Sequence, residues 1–249
     1  MTALLETIGL QKAFGAVIAA SDISVAVQRG QTLGLIGNNG AGKTTFINIV
    51  TGHLKPDAGR VMLDGKDITG LAPRQVRRDG VSRSFQIPQV FTGLTLDQNL
   101  LLALAILRKE GMSSWQPARS DVRTAELDDL LGRFRLRPYR EQTIAVLPGG
   151  VRKLVDVAMA VTHQPKLLLL DEPTSGVAVE EKFPLMDVIM RAIEGTETTV
   201  LFVEHDMDIV FEIADRITVL DYGHKIAEGL PEEISANQRV RDAYLGESA

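Results

Sequence analysis

The chain has no cysteine. That excludes disulfide staples, thiolate metal ligands and a thiol nucleophile, and it permits a reducing compartment. Long apolar runs are missing too. The longest wholly apolar stretch in the middle of the chain, Leu100 to Leu107, falls far short of the roughly 20 residues a membrane helix needs. Met1 to Leu10 has neither the basic start nor the apolar core of a secretory leader, so none is expected. No internal repeat, low-complexity tract or flexible linker stands out. Positive charge is in deficit. The formal net charge of -5 argues against a general nucleic-acid binder, while leaving room for a local basic patch. What is present is ordinary for a globular protein: 249 residues, 45% hydrophobic and 24% charged, enough for one large domain or two small ones with a full core. Any membrane role is expected to run through a partner.

One stretch organises the rest. Gly37-Asn38-Asn39-Gly40-Ala41-Gly42-Lys43-Thr44 fits G-x-x-x-x-G-K-[ST], a phosphate-binding loop. The motif carries weight only between a strand and a helix. Here Thr32 to Ile36 reads as a buried strand, and Thr45 to Val50 as the first turns of a helix. Glycines let the main chain wrap closely around phosphate oxygens, with successive N–H groups pointing inward. The helix N-terminus adds partial positive charge. Lys43 is expected at the β- and γ-phosphates, and the Thr44 hydroxyl on Mg²⁺.

Around it, residues 4 to 28 read as strands, with Ile23, Val25 and Val27 alternating with Ser24 and Ala26. Phe14-Gly15 lies between them; that aromatic is either an adenine-stacking side chain or a core phenylalanine. Gly59 to Lys66 reads as a strand ending in an Asp-Gly hairpin turn, Pro73 to Arg78 as a short helix opened by proline, and Val81 to Gln86 as a strand. The texture then changes. Thr95-Leu96-Asp97-Gln98 matches a capping box ahead of the apolar run to Leu107. Gly111 to Pro117 reads as a loop. Asp121 to Phe134 places Leu127, Leu130, Leu131 and Phe134 at helical spacing. No convincing strand appears from Gln86 to about Pro165. Arg133, Arg135, Arg137 and Arg140 form a basic cluster there, read as a solvated face or a docking surface. From Pro165 the α/β rhythm resumes: helix Glu180 to Glu194, strand Thr199 to Val203, helix Met207 to Ala214, short strands Ile217 to Leu220 and Lys225 to Ala227, and a helical tail from Pro231 to Leu245.

A second constellation follows Lys166. Leu167-Leu168-Leu169-Leu170-Asp171-Glu172 is a fully apolar strand ending in two acids, suited to a parallel sheet covered on both faces. Carboxylates at the C-terminal end of such a strand lie beside the phosphate loop in an open α/β sheet. Asp171 can then hold Mg²⁺, directly or through water, and Glu172 can orient or deprotonate a water attacking the γ-phosphate.

The two motifs together resemble the ATP-binding-cassette ATPase family, and further matches run the length of the chain. Gln86 matches that family's Q-loop glutamine, His205 its switch histidine, Phe14 its adenine-stacking aromatic, and Leu147-Pro148-Gly149-Gly150-Val151 its Leu-Ser-Gly-Gly-Gln signature. Ser82 to Gln86, together with Ile226 to Gly229 and Ala243 to Glu247, resembles one branch, the ATPases of bacterial importers for branched-chain amino acids and related amides. The resemblance implies a P-loop NTPase core with a mostly parallel sheet, an antiparallel β subdomain and an α-helical insertion. On that pattern 1–90 and 162–249 would form the α/β core with its β subdomain, and 91–161 the helical subdomain with a signature helix starting near Val151. It implies ATP and Mg²⁺ as ligands. Nucleotide contacts would come from Phe14, Gly37, Asn38, Asn39, Gly40, Ala41, Gly42, Lys43, Thr44 and Thr45, with Pro148, Gly149 and Gly150 acting on a partner's nucleotide. Metal contacts would come from Thr44, Gln86 and Asp171, and catalytic roles from Glu172, His205, Gln86 and Lys43. Implied partners are membrane permease subunits, a second ATPase subunit and, indirectly, a solute-binding protein, with no nucleic acid. The implied location is peripheral, on the cytoplasmic face of the inner (plasma) membrane.

Three positions depart from the family's commonest residues. Pro148 replaces the signature serine, Val151 the signature glutamine, and Ala178 the D-loop acid or amide. These weaken the half of the site offered to a partner, while the chain's own half is complete. Slow or partner-dependent hydrolysis is therefore expected. The alternative is a weakly active or non-hydrolysing ATP-binding regulatory subunit paired with a sibling ATPase. A soluble relative acting in DNA repair or translation is disfavoured by the short single cassette and its acidity. A GTPase is disfavoured because no Asn-Lys-x-Asp segment is found.

Overall fold

In this computed structural model residues 3–107 and 121–245 are described. In chain order the elements are β1 (Ala3–Phe14), β2 (Val17–Gln28), β3 (Thr32–Gly37), α1 (Lys43–Val50), β4 (Ala58–Leu63), β5 (Lys66–Asp67), α2 (Pro73–Arg78), β6 (Val81–Ser84), α3 (Leu96–Leu107), α4 (Asp121–Arg133), α5 (Gly149–Val161), β7 (Leu167–Asp171), α6 (Val179–Ile193), β8 (Thr199–Val203), α7 (Met207–Ile213), β9 (Arg216–Asp221), β10 (His224–Gly229), α8 (Pro231–Ala236) and α9 (Gln238–Leu245). The expected loop at Gly111 to Pro117 and the Gly246-Glu247 ending lie outside the described residues. Packing divides the chain into one unit of residues 1–82, 166–172 and 197–249 and a second of residues 83–165 and 173–196.

The first unit holds two sheets. One runs in the order β10-β9-β3-β8-β7-β6, the other β2-β1-β4-β5. In the larger sheet β3 pairs in parallel with β8 and β9, and β7 in parallel with β8; β10 turns back antiparallel on β9. Every residue of β3, β7 and β8 is buried, as an apolar strand covered on both faces requires. The four leucines of β7 are each 0% exposed, and burying one such side chain stabilises by about 1.5–3 kcal/mol. The main-chain groups that enter β3 are satisfied locally: Thr32 N–H donates to Asp215 Oδ2 at 2.7 Å and Gly30 N–H to Thr199 Oγ1 at 2.8 Å. The smaller sheet is antiparallel, and its β4–β5 hairpin turns at Asp64 and Gly65, both at positive φ. The core joins both sheets and α1 through Leu5, Val27, Leu35, Phe46, Leu63 and Leu169.

The second unit is built from α3, α4, α5 and α6. Helix α3 packs on α4 and α5, and α6 packs on α4 and α5. The capping box forms as the sequence predicts: Gln98 N–H donates to Thr95 Oγ1 at 3.2 Å, and Thr95 N–H to Gln98 Oε1 at 2.9 Å. Leu127, Leu130, Leu131 and Phe134 are all buried. Of the arginine cluster, Arg133 Nε caps α6 at the Ala192 carbonyl at 2.7 Å and Arg140 pairs with Asp97 at 2.9 Å, so these two hold the unit together.

Several boundaries differ from the sequence reading by a residue or two, and three of the differences have a local cause or bear on the site. The strand at Val81 ends at Ser84, before Gln86, because the Phe85 N–H is taken by a side chain, Asp156 Oδ2, at 2.9 Å. The signature helix begins at Gly149 rather than near Val151, with Pro148 as its extended N-cap. The tail is two helices, because the Asn237 side chain accepts the Arg239 and Val240 N–H groups and starts a new one.

Candidate active site

Parallel pairing sets the C-terminal ends of β3, β8 and β7 along one edge, the place where ligands meet an open α/β sheet. Three segments leave that edge: Gly37 to Gly42, Asp171-Glu172, and Glu204-His205.

The glycine loop is shaped by its neighbours. Gly37, still in β3, has no room for a side chain: a Cβ there would meet the Leu220 carbonyl oxygen at 2.4 Å. Gly42, the N-cap of α1, sits at φ +101°, and its Cβ would meet the Ala19 carbonyl oxygen at 2.3 Å. Between them Ala41 N–H closes a turn on the Asn38 carbonyl at 3.0 Å, and the Ala41 carbonyl accepts the Gly223 N–H at 3.0 Å. Asn38 Nδ2 donates to the Ala243 carbonyl of α9 at 2.8 Å. Asn39 and Gly40 are exposed. Lys43 and Thr44 open α1, followed by Thr45. Lys43 is buried, and its ammonium folds back onto the carbonyls of Gly37 and, at 3.1 Å, Asn38. Burial pushes its pKa down, while the charges of Glu172 and Asp171 oppose the shift. Thr44 is exposed.

Asp171 is the last residue of β7 and is buried. Glu172 follows in the left-handed region, φ 48°, with its N–H on the Val203 carbonyl at 2.9 Å. That conformation is costly for a residue with a side chain and disfavoured before a proline, and such strain clusters at functional positions. It turns the carboxylate out of the strand, so that Glu172 Oε1 lies 2.7 Å from His205 Nε2. A carboxylate only accepts, so in the neutral imidazole Nε2 carries the proton. Phe14 ends β1 half exposed, with the Lys12 ammonium 5.7 Å from the centre of its ring. Its accessible face excludes the core-phenylalanine reading.

The first unit thus brings together the glycine loop, Asp171, Glu172 and His205. Gln86, Pro148, Gly149 and Gly150 belong to the second unit. Gln86 is exposed. Pro148 caps α5 with no side-chain bond, and Gly149 and Gly150 are its first two residues, in the turn whose N–H groups have no intrahelical partner. Asp156, further along α5, accepts the N–H groups of Phe85 and Gln89. Burial raises the Asp156 pKa against the opposing pull of those two bonds and of Lys153. Sequence reasoning passed over Lys153 and Asp156; the available signal was a lysine and an aspartate on the apolar side of an amphipathic helix. Ala178 is the N-cap of α6, with no side-chain bond.

The profile described as "ABC transporter" matches residues 20–175, well over half of the chain. The chain belongs to the ABC transporter family. It is an ABC-type ATPase cassette, and the family binds nucleotide. A second profile, "Branched-chain amino acid ATP-binding cassette transporter", matches residues 224–249 of the cassette. The cassette is 36% identical to the high-affinity branched-chain amino acid transport ATP-binding protein LivG of Salmonella typhimurium, over 98% of each chain. It is 34% identical, again over 98% of each chain, to the corresponding protein BraF of Pseudomonas aeruginosa. Among solved structures, it resembles a nucleotide-free ATP-binding cassette from an ABC transporter, with TM-score 0.83 and 30% identity over 98% of this chain and 99% of that one. It also resembles a cassette in its ADP conformation, with TM-score 0.86 and 29% identity over 99% and 100%. Among the described residues no helix is long and apolar enough to cross a membrane.

Proposed function

We propose that the cassette binds Mg-ATP on the Gly37–Thr45 segment and hydrolyses it to drive a membrane permease that imports branched-chain or chemically related amino acids or amides. One observation carries the chemistry. A buried lysine opens α1 after the glycine loop, two acids stand at the end of the leucine strand β7 on the same edge of the sheet, and the second acid is held by a histidine. The solute class rests on the relatives' names and on the match of residues 224–249 to the branched-chain amino acid cassette profile.

The chain's own groups define the steps. Polyphosphate oxygens would replace the loop carbonyls as partners of the Lys43 ammonium, a charge-assisted exchange. The N–H groups of the glycine loop would donate to the same phosphates. Phe14, with one face open, would stack on the adenine. Glu172, held by His205, would orient the attacking water and take its proton. Mg²⁺ suits the donors at hand: the Thr44 hydroxyl and the Asp171 carboxylate are hard oxygen ligands, and the Gln86 amide oxygen is of the same chemical kind. When bound, it would neutralise charge developing on the β- and γ-phosphates.

A second cassette would complete the site, through the N–H groups at the start of α5 reaching the partner's nucleotide. Pro148, Val151 and Ala178 take a hydroxyl, an amide and an acid or amide from that half. Each lost hydrogen bond to phosphate costs roughly 1.5–3 kcal/mol. We therefore place turnover of the isolated chain low, and higher beside a sibling subunit; a purely regulatory ATP-binding subunit is the second reading those same three residues favour. A permease and a solute-binding protein would be its remaining partners, at the cytoplasmic face of the inner membrane.

The test is co-purification from native membranes, joined to Mg-ATP binding by the pure chain and its Lys43→Ala variant. The proposal expects an amino-acid permease in the complex and ATP binding that the variant loses. A chain that binds no Mg-ATP, or binds it equally well without Lys43, overturns it.

A further inference from the structure

The turn carrying Gln86 is held by the helix that begins with Gly149 and Gly150. Strand β6 stops at Ser84, and the next main-chain groups find side chains instead of a neighbouring strand. Phe85 N–H donates to Asp156 Oδ2 at 2.9 Å, and Gln89 N–H to Asp156 Oδ1 at 2.8 Å. One turn earlier on α5, the Lys153 ammonium donates to the Gln86 carbonyl. Gln89 Nε2 closes the turn on the Ile87 carbonyl at 3.1 Å. Three main-chain groups of residues 85–89 are thus fixed by two side chains of one helix.

Both side chains are buried, each 5% exposed, at i and i+3 on the packed face of α5. Leucine or valine would be the ordinary choice there. A buried carboxylate and ammonium each cost several kcal/mol unless fully engaged, and such groups often serve to fix one arrangement out of several. Both Asp156 oxygens are used, one for each N–H. The same helix, about 10 Å toward its start, presents Gly149 and Gly150.

We propose that Asp156 and Lys153 are positioning residues that clamp the Gln86 turn to α5, so that the glutamine and the α5 N-terminus move as one piece when nucleotide binds. The inference rests on the ATPase reading given above and deepens it by naming what aims Gln86. It separates two tasks. Binding of nucleotide by the glycine loop belongs to other residues; the orientation of the Gln86 turn depends on the clamp.

The experiment is single-turnover hydrolysis by the full chain, with excess protein, as Mg²⁺ is varied. Four proteins are compared: parent, Gln86→Ala, Asp156→Asn and the double variant. The amide in Asp156→Asn keeps the size of the side chain and one acceptor oxygen. The expected result is a rate about tenfold or more lower, as misplacement of a reacting group by a fraction of an ångström gives. Half-saturation with Mg²⁺ should rise several-fold, while Mg-free ATP affinity stays within twofold. Coupling is decisive: in the Gln86→Ala background Asp156→Asn should add less than twofold. Effects that multiply across the two sites, or a matching loss of Mg-free ATP affinity, overturn the clamp. So does Gln86→Ala with no effect of its own. A parent that binds no ATP sinks the ATPase reading, and the clamp's role falls with it; a parent that hydrolyses ATP beside multiplying effects sinks the clamp alone. If Asp156→Asn does not fold, as a melting curve shows, Lys153→Met carries the same comparison. It keeps an unbranched stem in the core and removes the donor to Gln86 together with the positive charge beside Asp156.

Discussion

Glu172 Oε1 and His205 Nε2 lie 2.7 Å apart, although 33 residues separate them in the chain. They meet because β7 and β8 run in parallel with Asp171 level with Val203, so the residues leaving each strand emerge at the same height. The histidine then needs only its exposed reach, and the glutamate only its left-handed backbone, for the two side chains to touch.

Glu172→Gln keeps the shape of that side chain and removes the proton acceptor. Turnover should fall by about 10²–10⁴ while ATP still binds. A closed ATP-bound dimer should accumulate. Phosphate release and light scattering with Mg-ATP read both, and unchanged turnover would remove Glu172 from the role of base.

Gly42→Ala should be costly for two separable reasons. The left-handed backbone costs an alanine about 1–2 kcal/mol, a drop of about 2–8 °C in melting temperature for a chain of this size, and the Cβ additionally strikes the Ala19 carbonyl. Gly40→Ala is the control. It stands at φ +84° with nothing within 4 Å of the new Cβ, so it should show the backbone cost without the collision. Melting curves should rank Gly42→Ala below Gly40→Ala, and ATP affinity should follow the same order.

Pro148→Ser restores a hydroxyl at the N-cap of α5. Serine there should stabilise the helix by about 1 kcal/mol and supply the missing donor to a partner's phosphate. Turnover, alone or with the native partner, should rise several-fold. If it stays flat, the altered signature is not what limits hydrolysis.

The Phe14 turn should respond to acid through Asp57. Its carboxylate accepts from Lys12 at 2.7 Å and from Ala13 N–H at 2.8 Å. The Lys12 bond first, and the Ala13 bond second, hold its pKa below the usual 3.8. A depressed carboxylate pKa contributes stability fully above the unfolded-state value and loses it as pH falls through the folded one. The melting temperatures of the parent and Asp57→Asn should therefore differ at neutral pH and converge in strong acid. At neutral pH the variant should also bind ATP more weakly, because Lys12 and Phe14 lose their anchor. Equal ATP affinities would show that the anchor does not serve the nucleotide.

The parts of this fold that were legible in sequence are those set by local chemistry. Gly37 to Thr44 between an apolar strand and a helix, the leucines of β7, and the Thr95–Gln98 box each contain their own reason. The parts that stayed hidden depend on chain brought from far away. Nothing near Phe85 announces that its N–H will go to Asp156, 71 residues on. So the strand was drawn too long, and the helix that supplies the bond was read only for its glycines. The break in the tail was accessible: Asn237 is a good N-cap, and the continuous helical reading passed over it. Glu172's left-handed backbone has no sequence mark at all, since a glutamate before proline favours extended structure.

The bond from Asn38 to the Ala243 carbonyl spans 205 residues. At ribosomal speeds of about 5–20 residues per second, the loop waits roughly 10–40 s for its last support to be made. A growing chain therefore carries the loop without this bond for most of its synthesis, and a product stopped before residue 243 never makes it. Truncation within α9 should therefore loosen the loop from 205 residues away in sequence.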